Sequence, residues 1–144
     1  MNRSILYILF IVILALIFVA LLFFATKKPI LSGQLPLEKI RITIDNIQKE
    51  ELFTNLRKFA EKNAFAIRIA PTNPTEKNVS IQMWRMDAKI FGGNPFEENK
   101  FRFGIYETSP GFKIPLEHVN EIIQNFRSHI ESIENSKFIV EKKN

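Results

Sequence analysis

The chain has 144 residues, no cysteine and a formal net charge of +5. That length accommodates one domain plus an accessory segment, and the missing cysteines exclude disulfides, thiolate metal sites and cysteine nucleophiles. The positive charge gathers at the ends, with Arg3, Lys27 and Lys28 around an apolar run and Lys142 and Lys143 at the tail. From Pro29 onward 17 basic residues face 15 acidic ones, and this balance of +2 argues against a nucleic-acid partner.

Residues 5–25, ILYILFIVILALIFVALLFFA, carry no charge over 21 positions. As a helix they span roughly 30 Å, the thickness of a bilayer's hydrocarbon core. The candidate cleavage points read FVA and FFA, with Phe where a signal peptidase needs a small residue. The segment therefore reads as an uncleaved signal-anchor occupying residues 1–25, with the transmembrane helix at 5–25. Counting Lys27, Lys28, Lys39 and Arg41 near the membrane would hold the rest of the chain in the cytoplasm. Large domains, however, cross largely regardless of charge. The expectation is a single-pass inner (plasma) membrane protein with an extracytoplasmic domain, a cytoplasmic one being the alternative. Residues 26–38, TKKPILSGQLPLE, form a tether that reaches roughly 43–47 Å when fully extended.

The domain proper runs over residues 39–144. KIRITID alternates Ile40, Ile42 and Ile44 with Arg41 and Thr43, a half-buried strand. Asp45 or Asn46 can cap the helix that follows, whose stripe is Leu52, Leu56, Phe59 and Ala60. FAIRIA resumes the alternation, and PTNPTEKN is a loop. VSIQMWRMDAKIF reads as one long extended run, and KFRFGIYET as another. Pro115 opens a second helix with Leu116, Val119, Ile123, Phe126, Ile130 and Ile133 along one side, and KFIVEK is a last short strand. The order β-α-β-β-β-α-β predicts an α+β fold: a mostly antiparallel sheet with two helices on one face, a ferredoxin-like variant with one extra strand. In VSIQMWRMDAKI the apolar set moves from odd positions (Val79, Ile81, Met83) to even ones (Trp84, Met86, Ala88, Ile90). This predicts a bulge near residues 83–85, or a strand covered on both faces.

Catalytic signatures are missing. His118 and His129 lie eleven residues apart on one helix, about 16 Å along its axis, too far to share a metal. Asp87, between Arg85 and Lys89, reads as part of a solvated charge ladder. No serine sits in a nucleophile motif. No cofactor or metal is expected. The segment KIFGGNPFEENKF, residues 89–101, lacks a following helix and a GK[ST] step, and Pro95 removes a donor, so it does not read as a phosphate cradle. It reads as a loop joining two strands, with Gly92 and Gly93 ending the first and Phe91 and Phe96 pinning the corner to the core.

KFRFGIYET faintly resembles the aromatic strand of RNA-recognition domains, which share a β-α-β-β-α-β order. Phe101, Phe103 and Ile105 share one parity here, which turns them toward the helices and leaves Arg102 and Tyr106 outside. Those two, with Trp84 on the same helix-free face and Phe96 at the corner, are the candidate partner-docking residues. One membrane helix plus a small ferredoxin-like domain is similar in layout to platform subunits of bacterial secretion and pilus machines. Those carry a coiled coil where this chain has a short tether, so no residue carries over. The sequence thus points to a membrane-anchored, non-enzymatic interaction module of an envelope assembly. The alternative is a membrane-proximal domain sensing a small ligand or lipid head group through its basic residues.

Overall fold

Alternation of apolar and polar residues turns every second side chain of a strand to the same side, and six such strands pair here into one sheet. The computed structural model describes Tyr7 and residues 10–17, 34–72, 77–108 and 113–141. The chain separates into two compact units, Met1–Ile30 and Leu31–Asn144. Of the expected membrane span only Tyr7 and residues 10–17 are described; they are helical, with exposed apolar side chains. The rest of residues 5–25 lies outside the described residues. Among the described residues no helix is long and apolar enough to cross a membrane.

The second unit is α+β. Its elements are β1 (Glu38–Thr43), a 3-10 turn (Asn46–Gln48), α1 (Lys49–Lys62), β2 (Ala66–Pro71), β3 (Val79–Trp84), β4 (Ala88–Glu97), β5 (Lys100–Glu107), α2 (Leu116–Ile130) and β6 (Lys137–Glu141). The sheet order is β2-β3-β4-β5-β1-β6, and every neighbouring pair is antiparallel. β1–α1–β2 crosses from the interior of the sheet to its far edge, and β5–α2–β6 steps over β1 to the other edge. Register aligns Ile40 with Phe103 and Val140, and Ile42 with Phe101 and Phe138. It also aligns Ile90 with Ile105 and Met83. These side chains face the helices, where Leu52, Leu56, Phe59 and Ala60 of α1 and Val119, Ile122, Ile123, Phe126 and Ile130 of α2 complete the core.

Several expectations are corrected. The sheet has six strands rather than five, because VSIQMWRMDAKIF folds back on itself. Arg85, Met86 and Asp87 make a tight turn closed by the Arg85 N–H donating to the Ala88 carbonyl at 3.0 Å, and β3 and β4 form a hairpin. The switch of parity marks a chain reversal, not a bulge. Asp87 sits in that turn and accepts from both Arg85 Nε (2.6 Å) and Nη2 (3.2 Å), so it is no member of a strand ladder. On α2, Leu116 at the head of the expected stripe is exposed.

A further correction concerns residues 89–101. Gly92 and Gly93 do not end a strand; β4 continues to Glu97, with a register shift between Gly93 and Glu97 before the turn into β5. This bulge rests on Asn94, fully buried. Its Oδ1 accepts from the Val79 N–H at 2.7 Å, and its Nδ2 donates to the Glu98 carbonyl at 3.1 Å. Gly93 lets β3 approach, since a Cβ there would stand 2.1 Å from the Val79 carbonyl oxygen. Phe96 is 77% exposed and Phe91 half-buried, so Phe96 does not pin the corner to the core.

Replacing Asn94 with Ala leaves the Val79 N–H and the Glu98 carbonyl without their partners, which costs about 1–3 kcal/mol. Chemical denaturation of the variant is expected to show that loss, while Asn99→Ala, in the adjacent turn, is expected to change stability by less than about 0.5 kcal/mol.

Candidate functional site: the outer sheet face

The strand positions that alternate with the core point away from both helices. Register lays them out in rows across the sheet. One row holds Ala66, Trp84, Lys89 and Tyr106; the next holds Arg68, Gln82, Phe91, Gly104, Lys39 and Glu141; a third holds Ala70, Ser80, Gly93, Arg102, Arg41 and Ile139. Trp84, Arg102 and Tyr106 thus share one face, as parity predicted. Four positions separate Arg102 from Tyr106 on β5, however, so they lie roughly 13 Å apart along the strand. The four candidate residues divide into two patches.

The first patch is aromatic and closely packed. Tyr106 leans back along β5 over Gly104, where an added Cβ would meet its ring at 2.7 Å. The Phe91 ring meets it edge-on at 6.0 Å. Glycine at 104 is what lets the phenol lie flat on the sheet, an aromatic covering a glycine across adjacent positions. Lys89 stands between Trp84 and Tyr106 and is only 8% exposed, its aliphatic stem covered by its neighbours. Burial raises the Tyr106 phenol above the ordinary value of 10.0, because the anion loses more hydration than the neutral form.

The second patch is a corner where β4, β5, β1 and β6 meet. Arg41, Thr43, Phe96, Glu97, Lys100, Arg102 and Ile139 line a shallow cavity of about 230 Å³. Glu141 pairs with Arg41 at 2.6 Å and Glu97 with Lys100 at 2.8 Å. Among the described residues no carboxylate pairs with Arg102; its guanidinium lies over the Phe96 ring, 5.3 Å from the centroid. The bulge at Asn94 is what turns Phe96 outward to meet it.

Charge is unevenly spread over the domain. The outer face carries Lys39, Arg41, Arg68, Lys89, Lys100, Arg102 and Lys137 against Glu97 and Glu141. The helices themselves balance, with Glu50, Glu51, Glu61, Glu117 and Glu121 against Lys49, Arg57, Lys58, Lys62 and Arg127. A near-neutral total therefore conceals a cationic sheet face. Reading charge along the chain missed Arg41 and Lys100; the parity of β1 and β5 marks them as outward, but only register brings them together.

A polar depression of about 130 Å³ opens on the opposite side, lined by Asn63, Arg85, Asp87, His118, Glu121, Ile122 and Asn125. Its groups largely satisfy one another. Arg85 donates to the Asn63 carbonyl at 3.0 Å and holds Asp87, and Asn125 Nδ2 donates to Asn63 Oδ1 at 3.0 Å. His129 is half-occupied structurally, its Nδ1 2.7 Å from the Asn125 carbonyl and its ring against Phe59. Among the described residues no group of three or more His, Asp or Glu side chains is placed to hold a metal ion. No protein-family model matches the chain, and no curated protein is similar enough to count as a relative.

Tyr7 and Tyr106 are the two tyrosines, so alkaline spectrophotometric titration of a Tyr7→Phe chain reads Tyr106 alone. Its midpoint is expected above 10.0, and Gly104→Ala, by lifting the ring off the sheet, is expected to lower it. Because the folded value exceeds the unfolded one, the associated stability is fully present below the unfolded pKa and is lost as pH rises through the folded one. A midpoint at or below the ordinary value would show a solvated ring.

Proposed function

We propose that this chain is a membrane-anchored, non-enzymatic interaction module, a small subunit of a bacterial-type envelope assembly. Residues 5–25 anchor it, residues 26–38 tether it, and the domain stands on the extracytoplasmic side. The observation that carries the reading is the outer sheet face, broad, free of the domain's own helices, and bearing Trp84, Tyr106, Arg102 and an exposed Phe96. Trp, Tyr and Arg are the residue types that dominate protein-binding hot spots. The partner is a protein, and the face holds it near the bilayer because the tether is short. The cationic excess of the same face supports a second reading, a membrane-proximal sensor of anionic head groups.

Co-purification from detergent tests the docking role. A partner recovered with the native chain is expected to be lost from the Trp84→Ala/Arg102→Ala/Tyr106→Ala triple variant. Undiminished recovery would sink the sheet-face reading. Flotation with anionic vesicles addresses the second reading: head-group binding requires that the triple variant keep its partner yet that vesicle association follow the basic residues. C-terminal fusions to a reporter active only outside the cytoplasm are expected to be active. Activity of a cytoplasm-only reporter instead would overturn the orientation.

A further inference from the structure

Arg41 and Arg102 stand directly opposite each other on β1 and β5. Like charges at facing positions of an antiparallel pair repel, and among the described residues only one of them is compensated, Arg41 through Glu141 at 2.6 Å. Arg102 is held instead against the Phe96 ring. A guanidinium backed by an aromatic face is oriented in advance, with its fork of donors free to meet a carboxylate in two parallel hydrogen bonds. Beside it, Phe96 and Ile139 are 77% and 52% exposed. The corner therefore offers an unsatisfied, pre-oriented cation next to two apolar side chains.

Resting on the docking role proposed above, we infer that this corner takes an acidic segment of the protein partner, its carboxylates meeting Arg102 and Arg41 and an adjoining apolar side chain settling on Phe96 and Ile139. Three competing occupants fit less well. Single-stranded nucleic acid needs open aromatic faces on which bases stack. Phe91 and Tyr106, however, meet edge to face and lie against the sheet, which leaves Phe96 as the one open ring of the three. A second copy docking face to face would set cation against cation. An anionic bilayer is read by clusters of several free Lys and Arg, whereas Arg41 and Lys100 beside Arg102 are already paired with Glu141 and Glu97.

The test uses the full chain in nanodiscs of neutral lipid and a short fluorescent peptide alternating Asp and Leu, with its Asn counterpart as control. The acidic peptide is expected to bind, the neutral one to bind at least about tenfold more weakly, and the difference to shrink as salt rises. Arg102→Glu is expected to weaken binding by about tenfold or more, and Arg102→Gln to weaken it less. Arg68→Glu, the same charge change on β2 at the far edge, is expected to leave it nearly unchanged. Circular dichroism of each variant confirms that the fold persists, and Arg102→Gln keeps the comparison available if the reversed charge unfolds the corner.

Equal binding of the acidic and neutral peptides, or equal loss from Arg68→Glu and Arg102→Glu, would overturn the inference. So would loss of the peptide to discs of phosphatidylglycerol or to oligothymidylate through the same arginines, which would assign the corner to a bilayer or to nucleic acid. If co-purification depends on the outer face while the peptide fails to bind, the docking role stands and the acidic-segment inference fails. If the peptide binds and partner recovery ignores the face, the reverse holds.

Discussion

Phe126 is the point at which the two layers of the domain are joined. Its fully buried ring lies 4.9 Å from the ring of Phe59 on α1, 5.2 Å from that of Phe103 on β5 and 5.8 Å from that of Phe138 on β6. A phenylalanine in such a position contributes roughly 3–5 kcal/mol, a large share of the 5–15 kcal/mol by which a domain is stable. Because α2 must deliver this ring over β5 and β6, the β5–α2–β6 crossover sits on the same side as α1. That commitment has a consequence on the other side. With most apolar side chains of the strands spent against the helices, the outward positions away from the Trp84–Phe91–Tyr106 patch carry little packing demand and can collect charge.

How far the sequence reports this arrangement depends on the range of the physics involved. Alternation in KIRITID and KFRFGIYET is local, and it correctly assigns Ile40, Ile42, Phe101, Phe103 and Ile105 to the core and Arg102 and Tyr106 to the outside. The stripe of α1 and most of that of α2 are equally legible, because helix burial follows a 3.6-residue period. Leu116 is misread since the first turn of α2 overhangs the core. The β3–β4 hairpin is misread for a different reason. Its turn is Arg85-Met86-Asp87, without Gly, Pro or Asn, and is closed by the bidentate Arg85–Asp87 pair, an interaction that turn propensities do not register. The parity switch was a true signal of that turn. The corner cavity is the least legible feature, since it depends on which residue of β1 faces which residue of β5 and β6.

The segment from Lys89 to Phe101 shows how a local irregularity serves the face as a whole. Two glycines and an Asn-Pro step look like the end of a strand. Here they sustain one through a close approach and a bulge: Gly93 admits the Val79 carbonyl, and Asn94 supplies from its side chain the hydrogen bonds that the shifted register cannot. A buried amide with both ends satisfied is rigid. Two extra residues on β4 against β5 also re-aim the side chains between the paired positions, and the residue re-aimed is Phe96. Without the shift, Arg102 would lack the ring it rests on.

The paired arginines bear on why the face is built at the edge of tolerance. A sheet selected only for stability would place opposite charges at facing positions, as it does for Lys100 and Glu97. Two facing arginines, one of them without a carboxylate partner among the described residues, forgo that gain. Exposed pairs of this kind are worth less than about 1 kcal/mol, so the domain tolerates the loss, and the cation stays available to an incoming anion. The near-neutral total charge then becomes informative. A cationic face opposite charge-balanced helices gives the domain an electrostatic direction, which would orient an acidic partner of the kind proposed during approach more than it would strengthen the final complex. Under the proposed anchoring by a short tether, orientation would be the scarcer quantity, because the anchor would already fix where encounters occur.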